Sequence, residues 1–134
     1  NVCDVYVSPH RAEGFGRTLT EAMLLGKPVV ATNYSGNAFY MNPEVSFPVD
    51  YKLVPVKKGD YHFVEDGDGA QWAQPLMPHL VIQMQAAMKA TQNPQFKPNL
   101  VAYAKQTFAP SRTGQLKQAR LELIKTILTN RGLV

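Results

Sequence analysis

Two carboxylates, Glu13 and Glu21, stand eight positions apart in the stretch HRAEGFGRTLTEAMLLGKPVVAT, which runs from His10 to Thr32. Gly14 and Gly16 follow the first of them closely, and Arg17 comes next. Glycines let a backbone turn sharply and approach a ligand without a Cβ in the way. A helix that starts just after them presents free N–H groups and a positive dipole end, which suit a phosphate. Arg17 adds a cation at the same place. A carboxylate accepts two hydroxyls at once, so Glu21 suits the vicinal pair of a ribose and Glu13 the hydroxyls of a sugar. Diphosphate, ribose and sugar together make a nucleotide sugar. The same residues also fit a plainer description. Thr18-Leu19-Thr20-Glu21 fits a capping box, in which Thr18 caps a helix and Glu21 reaches back to it. Gly14-Phe15-Gly16 is also short of a full G-x-G-x-x-G. Both descriptions stay open at this level.

The elements that position these residues follow from local pattern. Val2 to Ser8 is rich in β-branched and aromatic residues and predicts a buried strand. Pro9 to Arg17 holds Pro, Gly and charges and predicts a loop. Thr18 to Leu25 predicts a short helix with Leu19, Ala22 and Leu25 on one face, ended by Gly26. Val29-Val30-Ala31 predicts the next strand. A helical crossover between two strands implies a parallel sheet with a right-handed connection. In such a sheet ligands sit beyond the C-terminal strand ends, where residues 9–18 and 33–37 fall. Further on, Ala38 to Met41 predicts a helical turn, and Ser46–Val49 and Lys52–Val56 short strands. Lys57 to Ala70 is Gly/Asp-rich and predicts irregular chain, with helices over Leu76–Ala90, Leu100–Phe108 and Ser111 to about Thr129. On the last of these, Leu116, Leu123, Ile124, Ile127 and Leu128 share a side. The fold class is therefore α/β, with helices in the second half.

Composition narrows the function classes. A chain of 134 residues suits one domain or part of a larger one. No apolar run approaches the roughly 18–20 residues that cross a bilayer, and no signal-peptide pattern opens the chain. With one cysteine, Cys3, no internal disulfide can form, and its apolar neighbours predict a buried structural thiol. His10, His62 and His79 are scattered and do not favour zinc. Asp66-Gly67-Asp68-Gly69 has the start of a calcium loop, but Met77 stands where the bidentate Glu is needed. Residues 1–68 carry nine acids and six bases, whereas residues 69–134 carry one acid and eight bases. These bases are spaced out and not interleaved with aromatics, which favours a solvated face over nucleic acid. Lys117, Arg120 and Lys125 decorate the last helix on this reading.

Glu13-Gly14-Phe15-Gly16, Glu21-Ala22-Met23 and Gly26-Lys27-Pro28-Val29-Val30-Ala31-Thr32 together resemble the group 1 glycosyltransferases, family 4 of the retaining enzymes. Their signature is two glutamates separated by seven residues, and Glu13 and Glu21 keep that gap. Ser35-Gly36-Asn37, Ser46 to Tyr51 and Trp72-Ala73-Gln74-Pro75 also resemble this family, most closely over residues 2–57. The resemblance implies a Rossmann-like half-domain of the GT-B architecture followed by C-terminal helices. Residues 1–134 would form part of the C-terminal nucleotide-sugar-binding domain: 1–57 a β/α core, 58–75 an irregular loop, 76–131 helices. By resemblance, Glu13 contacts the donor sugar near the reacting centre, the amides of Phe15 and Gly16 approach the sugar, and Gly14 belongs to the same donor-binding stretch. The N–H groups from Arg17 through Thr18 to Leu19 meet the diphosphate, and Glu21 holds the ribose. The implied reaction is transfer of a hexosyl unit from a UDP-, GDP- or ADP-sugar with retained configuration. No cofactor is implied and no metal is required, because positive groups replace it at the leaving phosphate. One departure is Arg17, which stands where members commonly carry an apolar residue. Its guanidinium reaches a phosphate or points to solvent.

The resemblance also places the Arg and Lys that neutralise the diphosphate, and the acceptor domain, upstream of Asn1. The chain is thus expected to be N-terminally truncated and inactive by itself. The expected partners are the nucleotide sugar, the missing N-terminal domain and a second copy covering an exposed strand edge; nucleic acid is not expected. The cytoplasm is the expected location, with the basic last helix free to meet acidic lipid at the inner membrane face. A non-catalytic nucleotide or sugar-nucleotide binding module is the alternative. His10 and Arg11 flank the site and touch ligand or line the surface, Trp72 is expected to anchor the first long helix, and Asn33-Tyr34-Ser35 fits a glycosylation sequon without a secretory signal.

Overall fold

The computed structural model describes residues 3–65 and 67–109, with residues 122 and 129 beyond them. Strand β1 (Tyr6–Ser8), helix α1 (Arg17–Leu24) and strand β2 (Val29–Thr32) form the predicted crossover. A 3-10 turn (Ser35–Phe39) leads to strand β3 (Phe47–Val49), and the sheet order is β1-β2-β3 with both pairings parallel. The mixed α/β architecture with a parallel sheet followed by helices is the one expected, consistent with a Rossmann-like half-domain.

Central β2 is buried along its whole length, as a parallel strand covered on both faces must be. Its alternation divides the core. Val29 and Ala31 face α1 and helix α3 (Phe96–Thr107), in a cluster with Leu19, Met23, Leu100 and Ala104. Val30 faces helix α2 (Met77–Thr91), with Val49, Leu80 and Ala87. Burying side chains such as Leu19, Met23 and Leu100 favours folding by roughly 1.5–3 kcal/mol each.

Several local expectations are corrected. The first strand begins at Tyr6, whose N–H meets the Pro28 carbonyl at 2.9 Å, and not at Val2, which lies outside the described residues. Cys3 therefore precedes the ladder and is exposed, not a buried thiol. Helix α1 starts at Arg17 with Gly16 as its N-cap and no side-chain cap, so Thr18 and Glu21 build no capping box. Leu25 is exposed at the C-cap, and Met23 takes the core place expected of it. Residues 71–75 are not irregular: strand β5 (Gln71–Pro75) pairs antiparallel with β4 (Tyr51–Pro55). Trp72 lies within this hairpin, opposite Val54, and stacks with Arg11. Between the two strands, Asp60 and Asp68 accept from the N–H groups of Lys57 and Glu65 at 3.1 and 2.9 Å. The Gly/Asp composition there is turn chemistry. Helix α3 opens at Phe96, four residues before the predicted Leu100. The helix expected from Ser111, with Leu116, Leu123, Ile124, Ile127, Leu128, Lys117, Arg120 and Lys125, falls outside the described residues but for positions 122 and 129.

At the far end of α1, Gly26 adopts a φ of 71°. The Gly26 N–H bonds the Met23 carbonyl and the Lys27 N–H the Ala22 carbonyl, both at 2.9 Å, which is a Schellman closure. This turn delivers the chain into β2 and sets its register against β1. Gly26→Ala should therefore lower the unfolding free energy by about 1–2 kcal/mol, the cost of a left-handed non-glycine residue. Urea denaturation at neutral pH measures it.

Candidate functional site

The loop after β1 and the segment after β2 meet at the C-terminal edge of the parallel sheet. Gly36 touches the first loop so closely that a Cβ on it would lie 1.8 Å from the Gly14 carbonyl oxygen. Its N–H donates to the Glu13 carbonyl at 3.3 Å. Ser35, just before it, holds a φ of 71°, the left-handed region that costs an L residue energy. That strain brings Gly36 to the contact.

Glu13 is half-buried, and its Oε1 accepts from the Gly16 N–H at 2.9 Å. The carboxylate is thus folded back over its own glycine turn. Gly16 has a φ of 81° and leads directly into α1, where the Thr20 N–H returns to its carbonyl at 3.0 Å. The N–H groups of Arg17, Thr18 and Leu19 precede the first intrahelical bond, and no side chain caps them. Arg17 and Glu21 are both exposed and lie at i, i+4, on one face of the helix. Thr18 Oγ1 accepts from the Tyr6 hydroxyl at 3.0 Å, while Leu19 is fully buried. A Cβ on Gly14 would meet nothing within 4 Å, so the space above that residue is open.

The structure brings Glu13, Gly14, Phe15, Gly16, Arg17 and Thr18 into one turn and keeps Glu21 a helical turn further along α1. Leu19 is present through its backbone alone. His10 bonds Ser8 Oγ and the Tyr34 carbonyl, both at 3.3 Å, and so ties the two loops together. The Arg11 guanidinium lies over the Trp72 ring, 4.6 Å from its centroid, and the Ala73 N–H bonds the Arg11 carbonyl at 2.9 Å. The β4–β5 hairpin is therefore tied to the start of this loop through Arg11, a contact that no local sequence pattern announces.

Another support went unread in the sequence. Tyr40 is buried beneath the loop, against Phe15 and the ring of Phe108 at the end of α3, with centroids 5.5 and 5.1 Å away. Burial, and next the nearby Glu13 charge, push its hydroxyl pKa well above the usual tyrosine range. Only a contact spanning the fold could reveal it, since 24 residues separate it from Gly16.

Residues 1–49 match the family described as glycosyl transferases, group 1. The match spans β1, α1, β2, the 3-10 turn and β3, and supports a group 1 glycosyltransferase domain there. No curated protein matches the chain. Both glutamates and the whole glycine turn lie inside the matched stretch, whereas the hairpin and the described α2 and α3 lie outside it. No helix among the described residues is long and apolar enough to cross a membrane.

Gly36→Ala should part the two loops at a cost of about 1–3 kcal/mol, the usual range for overpacking, read as a lowered urea midpoint. The Tyr40 shift has a signed consequence. Its raised folded pKa gives stability fully present below the ordinary tyrosine value of about 10 and lost as pH climbs from there toward the folded value. In that window this group alone should tilt the stability curve downward by up to about 1.4 kcal/mol per pH unit. Urea melts at pH 9 and pH 11 should show a smaller drop for Tyr40→Phe than for the wild type.

Proposed function

We propose that this chain forms the donor side of a retaining glycosyltransferase of family 4 and GT-B architecture. It would pass a glycosyl unit from a UDP-, GDP- or ADP-sugar to an acceptor. Glycosyl transfer in general has the support of the group 1 match over residues 1–49. The observation that carries the finer reading is the uncapped start of α1 behind the Glu13–Gly16 turn, at the C-terminal edge of a parallel sheet.

Each proposed role follows from an arrangement already described. The free N–H groups of Arg17, Thr18 and Leu19 and the dipole of α1 receive the diphosphate, where charge builds as the bond to the sugar breaks. Arg17, exposed at the first helical position, stands close enough in sequence to add its charge there. Glu21, on the same helix face, accepts the two ribose hydroxyls. Glu13 turns from the Gly16 amide to the sugar hydroxyls near the reacting carbon, with Gly14, Phe15 and Gly16 forming the floor. The open space above Gly14 leaves room for that ring.

Titration calorimetry with UDP, GDP, ADP and their glucose or mannose conjugates tests this. One nucleotide series should bind. Glu21→Ala should weaken the nucleoside diphosphate and its sugar conjugate alike, by roughly tenfold for the loss of hydrogen bonds to a charged group. Glu13→Gln should weaken only the conjugate. Equal affinities in Glu21→Ala and wild type, or binding of none of these nucleotides, would sink the reading.

A further inference from the structure

Tyr40 reaches the glycine turn from below. Its hydroxyl lies 2.7 Å from the Phe15 carbonyl oxygen and 3.0 Å from that of Gly16. A hydroxyl carries one proton, so a single donor serves both carbonyls, the shorter bond being to Phe15. The side chain is only 4% exposed. Its own backbone carbonyl accepts from the Tyr103 hydroxyl of α3 at 2.7 Å. A continuous chain of bonds thus runs from α3 through Tyr40 to two successive peptides of the loop.

Peptide planarity turns this support into an aiming device. In a trans peptide the C=O and the following N–H point in opposite directions. Drawing the Phe15 carbonyl down onto Tyr40 therefore turns the Gly16 N–H up, and it is found there, on the Glu13 carboxylate. At the Gly16 carbonyl the hydroxyl adds to the first intrahelical bond, from the Thr20 N–H, and the two together set the Arg17 N–H at the uncapped start of α1. A phenylalanine at position 40 would fill the same volume but could hold neither carbonyl. Burial keeps the phenol protonated, and hence a donor, through neutral and mildly alkaline pH.

We propose that Tyr40 is the positioning residue of this loop: its hydroxyl, bonded to the Phe15 and Gly16 carbonyls, aims the Gly16 and Arg17 amides at the sugar and diphosphate of a nucleotide sugar. The ligand half of this proposal rests on the donor-site reading above. A purely structural tyrosine would loosen the whole fold when truncated, whereas a positioning one loosens the loop selectively.

The test uses Tyr40→Phe in the full 134-residue chain. Amide hydrogen exchange without ligand should run roughly tenfold faster at Gly16 and Gly36, the effect of about one hydrogen bond. The β2 amides should change no more than in Gly26→Ala, a destabilised control altered at the opposite end of α1. Titration of UDP-glucose and GDP-mannose should show whichever probe the wild type binds losing roughly tenfold in affinity. Loop amides that speed up no more than those of β2 overturn the proposal, and so does faster loop exchange with unchanged affinity. If the wild type binds neither probe, the donor-site reading falls, while the exchange result still decides whether Tyr40 holds the loop.

Discussion

Everything at the candidate site depends on one steric contact, the approach of Gly36 to the Gly14 carbonyl. A loop of eight residues, 9–16, with two glycines has no reason of its own to hold one shape, because each glycine adds conformational freedom. The segment after β2 supplies the missing constraint twice. Gly36 presses on it from one side and bonds the Glu13 carbonyl, while Tyr40 holds the next two peptides from below. The 3-10 turn between them sets their spacing. Buried Asn37 fixes that turn, its amide donating to the Thr32 carbonyl at 2.8 Å. The strain at Ser35 is therefore held by contacts on both sides, as such strain must be to persist.

The parallel sheet explains why these two segments meet at all. Right-handed crossovers bring every strand out at the same edge. The loops after β1 and β2 must then lie side by side, separated by about the width of one strand pair. Ladder register does the rest. Ser8 faces Ala31 and Thr32 faces Val49, so both chains leave the sheet at nearly the same height. The hairpin is tethered to the first of these loops by the Ala73 bond to Arg11, and its ends are joined by the Leu76 N–H on the Asp50 carbonyl at 2.8 Å.

What the sequence revealed and what it hid divide along contact range. The β1-α1-β2 unit was readable because apolar alternation, Gly26 and the valines of β2 are local signals. The place of the glycine turn at the sheet edge is readable for the same reason, since Glu13 to Glu21 spans only nine residues. Thr18-Leu19-Thr20-Glu21 is a sound local cap by sequence and points to a helix start one residue too late. Tertiary bonds from Tyr40 to the Phe15 and Gly16 carbonyls, with the local bond of the Gly16 amide to Glu13, instead start the helix at Arg17. Strand β5 escaped because Gln71–Pro75 has little apolar alternation and ends in proline, and pairing with β4 alone makes it a strand. Cys3 sits among apolar neighbours in sequence, yet burial is decided by where the ladder begins.

The bond between Glu13 and Gly16 bears on how such a site would exchange its ligand. An amide at a ligand-facing turn is costly to leave unpaired once water is excluded from it. In this structure the Glu13 carboxylate covers it at 2.9 Å, a charge-assisted bond. On the proposed reading a sugar hydroxyl or phosphate oxygen would take over the amide as the carboxylate turns to the sugar. One charged hydrogen bond would be traded for others of similar strength, so the net cost of opening stays small although each bond is strong. That trade requires the amide to remain aimed while its partner changes. The rigid part of the site therefore has to lie beneath the turn, at Tyr40 and Gly36, and the movable part above it, at the Glu13 side chain.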